Sequence, residues 1–496
     1  MTQDAPTQRY TRQENTITFL FMAVVLVIAF GLRFWLIQSS EFPRGEGAFF
    51  YESVVTLREN NFIPPETVVY NGEQIQNIYP PGAFYIVGLL AVITGADLFD
   101  IFRWYPLVMS TASIFVVYAF FNYYFDTRRL ALLATGLFAI TPVSIIVSIG
   151  GTGVVRATGT FFAVSALYMT DRLIAEGKTW QVVPVSLLVA AACLTQPQSG
   201  IFVVVSVIVF MLLRNLEPGT LLKMTIATVI ALLIVSIWIG YVVQAHTFAP
   251  IWEALFSQLG TDPLDKVLET FFAPDNPGLA QEAIIRVLGT LSLIGIFVCI
   301  AKGHNEIVIW LIMVMTLPIT TPGNIVVPLS ITAAYSIDFL VLTGLSSFRV
   351  PRQYNPETGE LVAKANNTAI YVSNLVVVFI LIYSAFNVIA ARDIESFALG
   401  EVTDNNEDAM EWIARETPPD STFYVITGVR PWEADEVSDW FPVLADRFSF
   451  ATVSGTEWIE ELEYERRIDR FGALQSCVEQ NAVCLNDEIL RLEPTV

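Results

Sequence analysis

Four apolar runs, Thr18 to Ile37, Trp104 to Phe125, Thr220 to Gln244 and Ala369 to Ala391, approach or exceed the roughly 20 residues that cross a bilayer core. A surface helix of a soluble domain must keep a polar face, and these runs have none. The chain is therefore read as an integral membrane protein. Composition agrees: of 496 residues, 54% are hydrophobic and 15% charged, where a soluble chain carries about a quarter charged.

The net charge of −21 is unevenly placed, with half of the 48 acidic residues beyond Arg392. That excess of acid argues for a solvated domain and against nucleic acid, which requires basic surface. The tail reads as a small α/β unit. Asn405–Glu416 has helical spacing with Met410, Trp412 and Ile413 on one side; Ser421–Thr427 alternates like a strand; Trp458–Leu474 is a charged amphipathic helix. Cys193 and Cys299 sit in apolar runs as packing residues. Cys477 and Cys484 suit a short disulfide loop if the tail is in an oxidising compartment, and are otherwise two free thiols. His246 and His304 fall at opposite ends of different helices, too far apart to share a metal.

Charge also orders the spans. The polar N-terminal tail carries Arg9 and Arg12, and the first apolar run lacks a small-x-small cleavage site, so it is read as a retained anchor. With that tail inside, the breaks holding Arg128-Arg129, Arg172/Lys178, Arg214/Lys223, Lys302 and Arg349/Arg352/Lys364 are cytoplasmic. The breaks Ser148–Thr158, Thr195–Ser199, His246–Glu282 and Thr320–Asn324 are external. This alternation holds only if the short apolar stretch Gly82 to Gly95, which follows the helix-stopping Tyr79-Pro80-Pro81, does not cross. The expected architecture is an α-helical polytopic membrane protein of about eleven transmembrane helices. Residues 1–391 form the membrane domain, with a first external loop at 39–103, and residues 392–496 form the extracytoplasmic α/β domain. Ser346–Thr368 is read as a flexible cytoplasmic loop.

No glycine-rich phosphate loop, His-Glu-x-x-His helix or Gly-x-Ser-x-Gly elbow is present. Charges at the edges of the spans are therefore the informative ones. Glu46 lies between Gly45 and Gly47 just outside the first span and precedes the aromatic run Phe49–Tyr51, read as belt residues. Glu41 and Glu52 are read as solvated, Arg33 as snorkelling to the interface, and Trp440 to Trp458 as packing of the small domain. Tyr79 serves either as an interfacial anchor or as a contact to a donor.

The order of these features resembles the GT-C superfamily of membrane glycosyltransferases, which includes oligosaccharyltransferase catalytic subunits, protein O-mannosyltransferases and lipid A aminoarabinose transferases. Gly45-Glu46-Gly47-Ala48-Phe49 is similar to the family's Asp-Glu-Gly-x-Tyr, with Gly45 in place of the first acid. Tyr79-Pro80-Pro81 is similar to its x-Pro-Pro-Leu, with Gly82 in place of Leu. The pattern Trp440-Phe-Pro442, Arg447 and Gly455-Thr-Glu457-Trp458 resembles uncharacterised prokaryotic members. The resemblance implies transfer of a sugar from a polyprenyl-phosphate donor to a lipid, glycan or protein acceptor at the outer face of the cell membrane, with inversion. Glu46 would be the general base. Arg156, alone in a glycine-rich external loop, would bind the phosphate, with Arg103, just ahead of the second span, and Arg286, early in the eighth, as alternatives. Oligosaccharyltransferases hold a metal with a second acidic motif; the loop Ser148–Thr158 has no acid, so no metal or other cofactor is expected. The competing readings are a lipid or polysaccharide transporter, disfavoured by span centres nearly free of ionisable groups, and a non-catalytic anchor for the acidic tail.

Overall fold

The computed structural model describes residues 12–38, 42–43, 47–125, 127–150, 152–214, 216–249, 251, 281–316, 322–339, 352–354, 361–363, 382, 386, 402–459 and 461–492. The run Ala369 to Ala391 apart from Ile382 and Phe386, the break His246–Glu282 for the most part, and Glu41 and Glu46 lie outside them.

The chain is mainly helical. α1 (Arg12–Gln38) leads to α2 (Ala48–Glu59), a β1–β2 hairpin (Thr67–Tyr70, Glu73–Gln76), α3 (Gly82–Thr94) and α4 (Leu98–Tyr124). The bundle continues through α5 (Arg128–Ile140), α6 (Pro142–Ile149), α7 (Gly153–Glu176), α8 (Val182–Thr195), α9 (Pro197–Leu213) and α10 (Pro218–His246). It is completed by α11 (Gln281–Lys302), α12 (Asn305–Met315) and α13 (Pro322–Ile337). Among the described residues three helices are long and apolar enough to cross a membrane, Thr18–Gln38, Leu98–Tyr124 and Pro218–His246. The pair α5–α6, bent by 50°, makes a fourth if it is one span, and the other apolar helices are shorter. α3 is one of these: thirteen residues end at Gly95 with a left-handed φ of 68°. At 1.5 Å per residue it reaches about 20 Å, short of a bilayer core of about 30 Å.

One extended core, from Met22 and Val25 on α1 to Val326 and Ala334 on α13, joins the bundle. Its two ends differ in chemistry. Asn324 Nδ2 donates to Ser199 Oγ at 3.0 Å, and Ser199 Oγ donates to Gln196 Oε1 at 2.5 Å, near the starts of α9 and α13. Three helices along, the far ends carry ion pairs. Arg214 pairs with Asp171 and, at 3.2 Å, with Glu306, while Asp338 pairs with Arg129 and lies 3.9 Å from Lys302. Among the described residues, Arg129, Arg214 and Lys302 thus share one end of the bundle, and Gln196, Ser199 and Asn324 the other.

Arg33 does not snorkel. It is 1% exposed and donates to Ser110 Oγ (3.2 Å), Ala29 O (3.0 Å) and Ala139 O (2.9 Å). The α5–α6 bend explains the demand. Pro142 has no N–H, so the last carbonyls of α5 lose helical partners. Ser144 Oγ takes Phe138 O at 2.5 Å, and Arg33 takes Ala139 O.

The segment read as a flexible loop contains an antiparallel pair, β3 (Arg352–Tyr354) and β4 (Leu361–Ala363), with Tyr354 opposite Leu361. In the C-terminal unit, α14 (Asp404–Glu416) buries Met410, but Trp412 is 57% exposed because two residues of helix turn it about 200° from Met410. The strand expected over Ser421–Thr427 is shorter: β5 (Thr422–Phe423) pairs in parallel with β6 (Phe448–Ser449). Between them lies α15 (Glu436–Leu444), and α16 (Glu461–Ser476) and α17 (Ala482–Leu492) follow. A disulfide joins Cys477 to Cys484, Cα atoms 5.5 Å apart, at the turn between α16 and α17.

Candidate active site

The first loop and the C-terminal unit build one structure. Tyr70-Asn71-Gly72-Glu73 is a tight hairpin turn, with positive φ at Asn71 (51°) and Gly72 (72°), the geometry that Asn-Gly favours. Asn71 then leaves its own strand pair and binds β6. Its Nδ2 donates to Ser449 O at 2.9 Å, and Ser449 N–H donates to its Oδ1 at 2.7 Å. Arg467 on α16, 6% exposed in its side chain, forms an ion pair with Glu73. Arg447 stays within the C-terminal unit, where it donates to Ala414 O at 2.9 Å and closes the end of α14.

α2 starts at Ala48 behind Gly47, which has no side chain to satisfy the free N–H groups of a helix start. Asp439 on α15 supplies the acceptor. Its Oδ2 takes the N–H of Gly47 at 2.8 Å and of Ala48 at 3.0 Å. Tyr70 Oη donates to Asp439 O at 2.6 Å. Burial pushes the Asp439 carboxyl up, and these N–H groups oppose that by favouring the ionised form.

The aromatic run after Glu46 is an internal joint and not an interfacial belt. Tyr51 stacks on Phe99 at 4.3 Å and meets Trp440 edge-on at 5.7 Å. Trp440 is fully buried, so it packs the first loop as well as its own unit. Tyr79 lies 4.9 Å from Phe50 and 5.9 Å from Trp458 between ring centroids. Below them Val54, Leu57, Phe84, Phe102, Tyr105, Val154 and Val155 form one cluster, which seats α2, α3 and α4 on the first turn of α7.

Arg156 belongs to that first turn, not to a loop: its N–H donates to Thr152 O at 3.0 Å, three residues into α7. Glu433, on a short turn at Trp432–Ala434, sits close enough for Arg156 to lower its carboxyl pKa against the larger raising effect of burial. Arg103 lies within α4 and not ahead of it, its guanidinium 4.9 Å from the Trp104 ring, with a buried Nε that no described residue accepts from. Arg286 lies on α11, but its side chain falls outside the described residues. The structure therefore gathers Tyr79, α2 and the first turn of α7 around one cluster. Asp439, Tyr70, Asn71 and Glu433 are the residues sequence reasoning missed; only the Asn-Gly turn carried a local signal.

Glu52, expected in solvent, is half-buried on α2. Burial first, then Glu59 and Asp446, push its carboxyl up to about 7. The folded state therefore holds this proton more tightly than the unfolded chain does. Its contribution is complete below the ordinary carboxylate pKa and is lost as pH rises through 7. Glu52→Gln is expected to stabilise the protein at pH 8 by about 1–2 kcal/mol and to change little at pH 4. Thermal unfolding in detergent at both pH values checks this; equal shifts at the two would show a solvated carboxylate.

Two comparisons bear on the whole arrangement. A family model described as dolichyl-phosphate-mannose-protein mannosyltransferase matches residues 79–241. Over 88% of its length the chain also superposes on the archaeal oligosaccharyltransferase AglB from Archaeoglobus fulgidus, in complex with an inhibitory peptide and a dolichol-phosphate, with a TM-score of 0.61 at 15% identity. The chain shares its fold with this oligosaccharyltransferase. The apo crystal structure of the Archaeoglobus fulgidus oligosaccharyltransferase gives a TM-score of 0.59 at 16% identity, covering 87% of this chain and 64% of that one. ArnT from Cupriavidus metallidurans in the apo state gives 0.52 at 14% identity, covering 88% of this chain and 86% of that one. The chain spans 65% of the length of AglB. No curated protein matches it. At these identities the likeness carries the fold and leaves the substrate to the site.

Proposed function

We propose that the chain is a membrane glycosyltransferase that moves a sugar from a polyprenyl-phosphate donor to an acceptor hydroxyl at the outer membrane face, with inversion. The observation that carries this is the joint between the first loop and the C-terminal unit, which fixes the helix start directly after Glu46 beside the Tyr79 aromatics. Eleven spans, with residues 392–496 outside, complete the reading. The division of the bundle into a basic and a base-poor end supports it.

In the transfer, the acceptor oxygen attacks the anomeric carbon as the bond from that carbon to the phosphate oxygen breaks. The bonding electrons leave on the phosphate, and the hydroxyl proton goes to Glu46. The leaving phosphate is a stable anion, so a nearby cation serves it better than a general acid. In this reading Arg156, on the first turn of α7 and near enough for its charge to act on Glu433, supplies that cation. The acid-free segment Ser148–Thr158 supports a route without a metal.

The test uses the full chain in lipid nanodiscs with a panel of polyprenyl-phosphate-linked hexoses and pentoses. Release of free polyprenyl phosphate is followed by mass spectrometry. Glu46→Gln is expected to lower turnover by about 100-fold or more. Wild-type turnover in that variant sinks Glu46 as the base. Donor movement across the bilayer without cleavage would favour the transporter reading.

A further inference from the structure

The C-terminal unit hydrogen-bonds the start of α2 through the Asp439 side chain. We propose that Asp439 is a positioning residue for sugar transfer, holding the backbone that follows Glu46 in its working place. The inference rests on the reading of Glu46 as the base. Asp439 is 4% exposed and cannot meet substrate through solvent. Its Oδ2 accepts from the first two N–H groups of the α2 segment, at Gly47 and Ala48, and so holds the backbone that follows Glu46 in sequence. A buried carboxylate bonded to two backbone N–H groups is a directional restraint that apolar packing alone does not supply.

Several contacts frame Asp439. Tyr70 Oη lies 2.6 Å from its carbonyl oxygen and 3.2 Å from Oδ1, which sets the rotation of the carboxylate. Tyr70 is in turn held because the neighbouring Asn71 is bonded to Ser449 in both directions. Gly455 closes the other flank. A Cβ there would come 2.6 Å from Ile75 Cδ1 and 3.3 Å from Phe49 and Tyr70, at a φ of +85° that side chains rarely adopt. Next in sequence, Trp440 packs against Tyr51 and Phe99, which anchors this turn of α15 on the first loop. A base displaced by about 1 Å loses on the order of 100-fold in rate, which makes such a restraint worth its desolvation.

The experiment compares kcat and donor KM for Asp439→Ala, Asp439→Asn and Tyr70→Phe in the nanodisc assay above. Asp439→Ala is expected to lower kcat by about 10- to 100-fold while KM for the donor stays within about threefold. Asp439→Asn is expected to stay within about threefold of wild type in both, because its amide oxygen still accepts both N–H groups. Wild-type kcat in folded Asp439→Ala overturns the proposal, as does an Asp439→Asn variant as slow as Asp439→Ala. If Asp439→Ala does not accumulate, Tyr70→Phe decides. It keeps the carboxylate and removes the hydroxyl that orients it; kcat lowered by about 3- to 10-fold supports the role, and unchanged kcat overturns it. Failure of the underlying reading has a different signature, wild-type turnover in Glu46→Gln.

Discussion

Arg33→Ala should destabilise the membrane domain by about 3–5 kcal/mol, one of the largest losses available to a single substitution here. The side chain ties α1 to α4 through Ser110 and to the end of α5 through Ala139 O. Removing it leaves that carbonyl without a partner at a depth where water does not reach, which costs about 1–3 kcal/mol. The space left by the side chain adds a cavity term of about 2 kcal/mol or more. Arg33→Lys is expected to fall between the two, since an ammonium cannot present the guanidinium's fixed fork to Ser110 and Ala139 together. Thermal unfolding in a mild detergent gives the ranking wild type, Lys, Ala. An Arg33→Ala variant within about 0.5 kcal/mol of wild type would mean that the side chain reaches headgroups after all.

What sequence could and could not disclose follows from the range of the interactions. The short α3 was legible because Pro80-Pro81 and Gly95 punctuate it locally. The ends of the bundle were legible because Lys and Arg mark their breaks whatever the packing. Arg33 was misread because its burial depends on Pro142, more than a hundred residues away, freeing a carbonyl that this side chain meets. Arg156 was placed in a loop because Gly150, Gly151 and Gly153 signal a break, and that break ends three residues before it. Trp440 and Trp458 looked internal to the small domain because nothing local shows that Tyr51 and Tyr79 lie against them. Asp439 was invisible for the same reason. Its partners are backbone N–H groups 391 and 392 residues earlier, which no side-chain pattern encodes.

The departure at Gly82 has a physical cause, and it carries the last prediction. A Cβ at this position would come 2.5 Å from Leu194 O and 2.9 Å from its carbonyl carbon, closer than real Cβ atoms stand. The start of α3 and the end of α8 approach each other backbone to backbone, so the resembling pattern's Leu has no room here. Gly82→Leu must push the two helices apart, with an expected cost of about 3 kcal/mol or more; Gly82→Ala should cost about 1–3 kcal/mol. The displacement would also move Tyr79, three residues before, off Phe50 and Trp458, so donor turnover should fall with stability. The identity of the clashing atom gives a control. Because it is a backbone oxygen, trimming the neighbour by Leu194→Ala should not rescue Gly82→Ala. Thr195→Ser, which removes the Cγ2 that stands 3.2 Å from the new Cβ, should recover only a small part. Unfolding midpoints of the two double variants decide the matter: full recovery with Leu194→Ala would place a side chain at the contact and overturn the backbone approach.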